Sequence, residues 1–416
     1  FRFLFTYWHV LVLFILAAYL WIYLYKKYNV TASNENIKAK YYYSTSVLAI
    51  IIITVLSVGG IRGGDFKEST RPINLVDANR HVKEIKQADF VLNTPFALIR
   101  TLSANTFKRV SYDISSDQID HFISPIKQYT SNEKSSPNIV LVITESFSRE
   151  YSGAFNKDRN IENYVSYTPF IDSLAAHSLI FPNAFANGNK SIHGMSSVLA
   201  GIPSFKDAFT SSPYSKQEIE SVVSILNELD YDTSFFHGAA NGSMGFLGFS
   251  NILGFDNYYG RTEYNNDDDF DGTWGIWDEK FLDFTKEVLN EKKEPFFSTI
   301  FTLSSHEPFK IPKEYKGKFP TGNVQMNQSI SYTDYSLKTF FEASKNEEWF
   351  NNTIFIITAD HGSQPGFDEY RKTVNRTGIP ILIYKPDNSL REVKNDLAQQ
   401  IDIYPTIIDL IGYRSE

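Results

Sequence analysis

Cysteine is absent from the 416-residue chain, and this absence excludes several kinds of chemistry at once. No disulfide framework can stabilise the fold, no thiolate can ligate a metal, and no cysteine can act as a nucleophile. A chain of this length can bury a large hydrophobic core and does not need such crosslinks. The absence of cysteine does not indicate in which cellular compartment the protein lies.

The chain also lacks the excess of basic residues that nucleic-acid binding requires. It has 40 Lys and Arg against 48 Asp and Glu, a formal net charge of −8. Residues 41–416 alone carry 35 basic and 47 acidic side chains, a net charge of −12. Because nucleic-acid phosphates are bound through clustered Lys and Arg, we predict no nucleic-acid partner.

Two long runs near the start of the chain contain no charged residue. The first, residues 3–25, has 23 residues, and the second, residues 41–61, has 21. About 20 helical residues cross the roughly 30 Å hydrocarbon core of a bilayer, so both runs are predicted to span a membrane. Tyr and Trp cluster at the ends of the runs, at the level of the headgroups. We therefore predict a multi-pass protein of the cell (inner) membrane, with residues 1–61 as its anchor.

The rest of the chain divides by composition. Residues 62–136 are polar with scattered Gly and Pro, and are predicted to be a juxtamembrane connector. Residues 137–416 alternate β-branched and aromatic runs with helix-length segments, which is typical of an α/β domain with a mostly parallel sheet flanked by helices. The predicted strands are Asn138–Thr144, Thr233–Phe236, Phe296–Leu303, Thr353–Thr358 and Ile379–Tyr384, and the predicted helices include Ser221–Leu229, Asp278–Asn290 and Ser329–Ser344.

Polar residues directly follow four of the predicted strands. The first strand leads into Glu145, the second into His237, the third into His306, and the fourth into Asp360 and His361. Ligands of open α/β sheets bind beyond the carboxyl ends of the strands, so we expect these side chains to meet at one edge. Glu145, Asp360 and His361 offer two oxygens and one imidazole nitrogen, a set that suits Zn²⁺ or Mn²⁺. This pattern does not identify a fourth ligand.

A nucleophile is predicted in the segment GNKSIHGMSSVLAG, residues 188–201. A Gly/Asn loop leads there into a predicted helix, Ile192–Leu199, with Ser191 at its N-cap. Unpaired N–H groups at a helix N-terminus favour an anion, and Lys190 adds a positive charge beside them. The alternative is an ordinary helix cap, because serine is common at that position. His193 is a rival in the same loop, which we interpret as a structural residue.

The acidic segment 267–278 partly matches a calcium-binding loop. Asp267, Asp269, Asp271 and Gly272 stand at positions one, three, five and six of that pattern. The residues before the segment do not have the pattern of an entering helix. A solvated acidic loop is therefore the preferred interpretation.

Taken together, six segments resemble the lipoteichoic acid synthase group of membrane phosphoglycerol transferases, within the sulfatase and alkaline phosphatase superfamily. They are NIVLVITESFS, GNKSIHGMSSVLAGIPS, FFHGAANGS, TLSSHEPF, ITADHG and IDIYPTIIDLIGY, in the order that the family shows. The resemblance covers most of residues 137–412. It implies a catalytic domain outside the cytoplasm. It also implies one Mn²⁺-like ion, with Zn²⁺ or Mg²⁺ as alternatives, whose ligands are Glu145, Ser191, Asp360 and His361.

The resemblance further implies a reaction in two steps. Ser191 attacks the phosphate of a membrane phospholipid, diacylglycerol leaves, and an acceptor hydroxyl of a glycan or a lipid-linked molecule then takes the phosphoglycerol-type group. His306 and His237 are implied to bind the headgroup or to move protons, beside Lys190. A phosphodiesterase or phosphatase of the same superfamily, a phosphoethanolamine transferase and an inactive scaffold protein remain as alternatives.

The chain departs from the family pattern at three places. Serine stands where the nucleophile is commonly threonine, which keeps the hydroxyl. Met244 and Phe246 stand where lipoteichoic acid synthases carry a Trp and an Arg that contact glycerol phosphate. The resemblance therefore does not identify the headgroup that is transferred. The Cys/Ser-x-Pro-x-Arg segment of sulfatases is missing after Ser191, which argues against sulfate-ester hydrolysis. The lack of cysteine counts against phosphoethanolamine transferases, because these usually carry several disulfides.

Overall fold

The computed structural model describes residues 8–28, 38–62, 76–82, 85–92, 97, 98, 102, 114, 115, 118, 134–204 and 208–413. The chain divides into two compact units, Phe1–Phe66 and Lys67–Glu416. Most of the predicted connector, residues 62–136, lies outside the described residues.

Two helices are described in the first unit, α1 (Trp8–Lys27) and α2 (Ala39–Arg62). Within α2, the stretch Ala39–Gly59 is long and apolar enough to cross a membrane, and no residue of its most apolar part is buried. Among the described residues, no other helix meets this standard of length and composition. Tyr and Trp interrupt α1, and their rings favour the membrane interface over its core. The second predicted span is therefore supported, whereas a multi-pass anchor is not.

The second unit contains both short and long strands among the residues that the structure describes. They are β1 (Asn138–Thr144), β2 (Leu179–Ile180), β3 (Ala184–Phe185), β4 (Asp232–His237), β5 (Asn257–Tyr259), β6 (Phe296–Phe301), β7 (Thr353–Ala359), β8 (Ile381–Tyr384), β9 (Glu392–Val393) and β10 (Ala398–Gln399). Eight of them form one sheet in the order β5-β4-β6-β1-β7-β8-β2-β9, and β10 pairs with β3. The five strands from β5 to β7 are parallel, and β8 is antiparallel to both of its neighbours.

Helices cover the sheet. They are α3 (Ala88–Val91), α4 (Pro169–Ala175), α5 (Ser191–Ala200), α6 (Val222–Glu228), α7 (Phe246–Leu253), α8 (Arg261–Tyr264), α9 (Asp278–Asn290), α10 (Met326–Ser344), α11 (Asp368–Arg371) and α12 (Ile403–Leu410). A 3₁₀ helix, Val76–His81, lies against α7, where Asn251 Nδ2 donates to the carbonyl oxygen of Asn79 at 2.7 Å. Part of the predicted connector thus belongs to the second unit.

The prediction of an α/β fold with a mostly parallel sheet is confirmed. Strand β1 and helix α9 have their predicted bounds, and the other predicted strands differ by one or two residues at an end. Strands β2, β3, β5, β9 and β10 were not predicted, because two or three residues are too few to show an alternating pattern. Strand β8 is antiparallel, which its short apolar run did not indicate.

Strand β1 lies at the centre of the sheet, between β6 and β7, and every residue of its sequence NIVLVIT is buried. The continuous apolar run reflects burial on both faces of the sheet. Pairing brings Ile143 level with Phe301 of β6, and Thr144 level with Ala359 of β7. The carboxyl ends of these central strands are therefore aligned at one edge, and the residues that follow them meet there.

Asp334 connects two of the covering helices. Its Oδ2 accepts a hydrogen bond from the backbone N–H of Phe170 and its Oδ1 from that of Ile171, both at 2.9 Å. These N–H groups belong to the first turn of α4, where Thr168 at the N-cap makes no side-chain capping bond. The buried carboxylate of α10 thus satisfies two donors that have no partner inside their own helix.

Replacement of Asp334 by alanine should lower the free energy of unfolding by about 2–3 kcal/mol, because two N–H groups near the core lose their acceptor. Denaturant unfolding monitored by near-ultraviolet circular dichroism measures this change. Glu342→Ala, on an exposed side of the same helix, is the control and should change stability by less than about 0.5 kcal/mol. Equal effects of the two substitutions would contradict the role of Asp334.

Candidate active site

The alignment of β1 and β7 places Glu145 and Asp360 side by side. Each carboxylate follows the last residue of its strand, and their residues are 1% and 0% exposed. His361 comes next, with its Nε2 at 3.3 Å from Asp360 Oδ2 and 3.9 Å from Glu145 Oε1. Ligand atoms of the three residues lie within 4.8 Å of one another. The three residues that the sequence predicted as ligands are thus brought together.

Ser191 lies against this cluster at the start of α5. Its Oγ donates a hydrogen bond to Glu145 Oε2 at 3.0 Å and lies 3.4 Å from His361 Nε2. The prediction that Ser191 is the N-cap is wrong, because Lys190 is the N-cap and Ser191 is the first helical residue. At that position the hydroxyl does not cap the helix but points to the carboxylate.

Gly194 allows helix α5 to approach the end of β7 closely. A Cβ atom at this position would lie only 2.8 Å from the Cα atom of Asp360. A residue without a Cβ is therefore required for the helix to bring Ser191 next to Asp360. Sequence reasoning missed this residue, since a single glycine within a helical pattern carries no information on what lies opposite.

These residues fit a divalent cation. Asp360 Oδ2 is buried and has no hydrogen-bond partner among the described residues, while Oδ1 accepts from the backbone N–H of His361 at 2.7 Å. Burial and the adjacent Glu145 carboxylate raise the pKa of Asp360 to about 7. Two carboxylates buried this close together need a nearby positive charge. Oxygen and imidazole donors of this kind suit Mn²⁺, Zn²⁺ or Mg²⁺.

The orientation of His361 also suits a ligand. Its Nδ1 lies 2.7 Å from the carbonyl oxygen of Gly362, which can only accept, so Nδ1 carries the proton. This leaves Nε2 with a lone pair on the side of Ser191 and the two carboxylates. A backbone acceptor that holds the second ring nitrogen is typical of histidine ligands.

His306 lies near the cluster at the end of β6. The preceding residue, Ser305, donates from Oγ to the carbonyl oxygen of Glu145 at 2.5 Å, which ties this loop to the site. The half-buried His306 ring packs on Trp274, with 4.3 Å between the ring centroids. His306 Nδ1 and Trp274 Nε1 both donate to the carbonyl oxygen of Glu307, at 2.9 and 2.6 Å. We call the two rings the His306–Trp274 wall.

Asp271 from the acidic segment holds Trp274 in place. Its Oδ1 accepts from the backbone N–H of Trp274 at 2.7 Å and from those of the two neighbouring residues at 2.6 and 3.2 Å. Asp271 therefore stabilises a turn. Sequence reasoning did not find Trp274, because its relation to His306 depends on the packing of two distant loops.

His237 is fully buried beside the same edge. Its Nδ1 donates to the carbonyl oxygen of Phe301 at 3.1 Å, and its ring packs edge-on against Phe246 and Phe301. Burial lowers its pKa to about 4, so the imidazole is neutral near pH 7. Its Nε2 has no hydrogen-bond partner within the part of the chain that the structure describes. The two roles that the resemblance implies for His237, headgroup binding and proton movement, stay predictions.

The other residues of the predicted nucleophile loop lie around Ser191. Lys190 is exposed beside it. His193 is buried and its Nδ1 accepts from the backbone N–H of Asn189 at 3.3 Å. Gly188 lies so near that a Cβ there would be 2.2 Å from the Cβ of His193. This arrangement supports the interpretation of His193 as a structural residue that holds the loop.

The buried His237 predicts a loss of stability on acidification. Its pKa of about 4 in the folded protein is below the ordinary 6.5, so between these pH values only the unfolded chain takes up a proton. The free energy of unfolding should therefore fall by about 3 kcal/mol from this group as the pH drops from 6.5 to 4.

Denaturant unfolding at a series of pH values tests this expectation. In His237→Gln the amide can still donate to the Phe301 carbonyl oxygen, but this part of the pH dependence should disappear. Nuclear magnetic resonance of labelled histidine gives an independent measurement. A His237 ring that titrates between pH 6 and 7 would contradict the expectation.

Comparison with known sequences supports the motif assignment. Residues 137–413 match the protein family described as Sulfatase. The lipoteichoic acid synthase-like protein YvgJ of Bacillus subtilis is 23% identical over 330 residues, which cover 71% of this chain and 52% of that protein. A lipoteichoic acid synthase of Staphylococcus saprophyticus is 24% identical over 383 residues, which cover 83% of this chain and 57% of that protein. The chain spans about half the length of the curated relatives it matches.

Solved structures show the same fold. A protein in the alkaline phosphatase superfamily from Vibrio parahaemolyticus is 27% identical, with a TM-score of 0.60 over 68% of each chain. The lipoteichoic acid synthase LtaP from Listeria monocytogenes is 23% identical, with a TM-score of 0.56 over 67% of this chain and 72% of its own. Together with the sequence matches, these similarities confirm the resemblance to lipoteichoic acid synthases that the six motifs indicated.

Proposed function

The chain belongs to the sulfatase family, and from this premise we propose that it is a membrane-anchored, metal-dependent transferase. It moves a phosphoglycerol-type headgroup from a membrane phospholipid to an acceptor hydroxyl through a phospho-serine. The proposal is carried by the Ser191 hydroxyl, which lies 3.0 Å from Glu145 Oε2 and 3.4 Å from His361 Nε2 at the start of a helix. A hydroxyl beside a carboxylate and an imidazole is arranged to act as a nucleophile. The family confirms the prediction of a sulfatase-type enzyme.

Four side chains would hold one divalent ion in this proposal: Glu145, Ser191, Asp360 and His361. Mn²⁺ is the proposed ion, with Zn²⁺ and Mg²⁺ as alternatives. When bound, such an ion supplies positive charge that favours ionised serine and offsets the charge of the phosphate oxygens. The orphan oxygen of Asp360 and the lone pair of His361 Nε2 support this assignment.

In the first step, Ser191 Oγ forms a bond to the phosphorus of the phospholipid headgroup. Its proton passes to Glu145 Oε2, which already accepts its hydrogen bond. The bond from phosphorus to the diacylglycerol oxygen breaks, and that oxygen takes a proton from His306. The N-terminus of α5, with Lys190 beside it, stabilises the negative charge on the phosphate oxygens.

In the second step, the hydroxyl of a glycan or a lipid-linked acceptor attacks the phospho-serine. The attacking hydroxyl gives its proton to His306, which lost one to diacylglycerol in the first step. The bond between phosphorus and Ser191 Oγ breaks, and Ser191 Oγ takes its proton back from Glu145 Oε2. Both displacements are in line, so the acceptor enters from the side that diacylglycerol has left. Water in the place of this acceptor would turn the same chemistry into hydrolysis.

The His306–Trp274 wall is the proposed contact surface for the headgroup. His306 directly follows Ser305, which is hydrogen-bonded to Glu145, and Trp274 packs on the His306 ring. A hydroxylated headgroup can place its C–H groups on the indole face and its oxygens near the imidazole. Phe246 is buried against His237 and Phe301, so a hydrocarbon ring fills the place where the resemblance expects an arginine. This difference supports a headgroup contact made by the wall.

The membrane end of the chain supports the proposed location. Helix α2 would anchor the protein in the cell membrane over Ala39–Gly59, and the catalytic unit would lie outside the cytoplasm, where phospholipid donors and envelope acceptors are available. The net charge of −12 over residues 41–416 does not favour electrostatic attraction of the catalytic unit to anionic lipid. The anchor would therefore hold the domain at its substrate.

Ser191→Ala should abolish release of diacylglycerol from phospholipid vesicles, with a rate lower by roughly three orders of magnitude or more, because the nucleophile is lost. Thin-layer or mass-spectrometric analysis of the lipid products measures the rate. Ser197→Ala is the control, because this buried serine of the same helix only donates to the carbonyl oxygens of His193 and Ile202. Mass spectrometry of the wild type should find the headgroup phosphate on Ser191.

The identity of the products decides between the proposal and its alternatives. Normal turnover by Ser191→Ala would overturn the phospho-serine. Free glycerol phosphate formed without any acceptor would show a hydrolase, and a phosphoethanolamine adduct on Ser191 would show the other transferase.

Trp274→Ala should raise the KM for phospholipid about fivefold with a smaller change in kcat, because the headgroup loses an aromatic contact of about 1 kcal/mol. Trp274→Phe keeps an aromatic face and should retain most of the affinity. Initial rates over a range of phospholipid concentrations measure both constants. An unchanged KM in Trp274→Ala would exclude the wall from headgroup binding.

A further inference from the structure

Ser146 has an unusual backbone conformation at the centre of the site. It directly follows Glu145 and is 6% exposed, and its φ angle is +56°. A residue with a Cβ atom adopts this left-handed conformation at a cost, and glycine adopts it freely. Strained residues of this kind persist where the surrounding structure imposes them, often at functional sites.

The left-handed conformation directs two donors of Ser146 at two different carboxylates. Its backbone N–H donates to Asp360 Oδ1 at 2.6 Å, and its Oγ donates to Glu145 Oε1 at 2.6 Å. One residue therefore bridges the ends of β1 and β7. Both bonds are short and lie in a buried, low-dielectric place, where hydrogen bonds to ionised groups are strongest.

These bonds determine which carboxylate oxygens remain available. Asp360 Oδ1 accepts from the N–H groups of Ser146 and His361, whereas Oδ2 has no hydrogen bond among the described residues and lies 3.3 Å from His361 Nε2. Glu145 Oε1 is likewise occupied, and Oε2 receives the Ser191 hydroxyl. Without Ser146 the Glu145 carboxylate could rotate, because no other group donates to Glu145 Oε1 in the described part of the chain. Asp360 would lose one of the two N–H groups that hold its Oδ1 and keep that of His361.

We propose that Ser146 is a positioning residue for the metal site: its hydroxyl and N–H hold the carboxylates of Glu145 and Asp360 in the orientation that binds the ion. This inference rests on the proposed function, since it assumes that the cluster binds a divalent cation. The serine hydroxyl explains why a strained serine stands where glycine would be less costly. Glycine would keep the N–H bond to Asp360 but lose the bond to Glu145.

Three substitutions in the full-length protein separate the hydroxyl from the backbone. Ser146→Gly removes the hydroxyl and relieves the strain, Ser146→Ala removes the hydroxyl and keeps the strain, and Ser146→Thr keeps a hydroxyl but adds a β-branch. The probe is Mn²⁺ alone, and its affinity is measured by electron paramagnetic resonance of the free ion. The thermal midpoint of the metal-free protein is measured for each variant.

We expect Ser146→Gly and Ser146→Ala to bind Mn²⁺ about 10–100-fold more weakly than the wild type, as is usual when a partner of a metal ligand is lost. Ser146→Thr should bind more tightly than either. The metal-free thermal midpoints should follow a different order, with Ser146→Gly at least as stable as Ser146→Thr. Affinity and stability then change in opposite directions, which a merely structural role would not produce.

Ser336→Ala is the matched control. This buried serine of α10 donates only to the carbonyl oxygen of Tyr332, at 2.8 Å, and the substitution should leave Mn²⁺ affinity unchanged. If Ser146→Gly binds Mn²⁺ as tightly as the wild type, the inference about Ser146 is overturned and the proposed function stands. If the wild type binds neither Mn²⁺, Zn²⁺ nor Mg²⁺, the proposed function itself is overturned, and the inference with it.

Discussion

Two carboxylates buried side by side are the constraint on which the rest of this site depends. Parallel pairing of β1 with β7 brings Glu145 and Asp360 to the same level at the sheet edge, away from water. Like charges this close repel each other strongly in a low-dielectric environment, and burial alone already disfavours the ionised forms. A divalent cation relieves both effects at once. The repulsion between the two carboxylates would thus favour metal binding. The bound metal would in turn stabilise this edge of the sheet.

The contacts of the neighbouring residues are explained by the need to hold these two carboxylates in place. Ser146 restrains both carboxylates through hydrogen bonds from one short turn. Gly194 lets helix α5 come close enough for Ser191 to donate a hydrogen bond to Glu145. His361 presents a lone pair because its other nitrogen is held by a backbone carbonyl. The contacts of Ser146 with Asp360, of Ser191 with Glu145 and of Gly194 with Asp360 join segments far apart in the chain. The proposed nucleophile and the proposed ligands therefore form one unit, and a change in one of these residues is expected to affect the position of the others.

The residues on the headgroup side of the site are less constrained than those at the reaction centre. Around the carboxylates the proposed phosphoryl transfer would restrict the choice of residues. On the headgroup side only shape and polarity matter, so other solutions are possible. Here Phe246 is buried in the core, and an aromatic residue from a distant loop, Trp274, lies next to His306. The reaction type is thus better supported than the identity of the group transferred.

The sequence by itself determined the class of fold, the central strands and the residues that follow them, because strand burial and strand-end polarity are local patterns. Glu145, Asp360 and His361 could be predicted on that basis, and Ser191 through the loop and helix around it. Only the tertiary structure decided the left-handed turn at Ser146, the close approach at Gly194 and the contact of Trp274 with His306. These features depend on which segments meet in space, and a local pattern of side chains does not record what lies opposite.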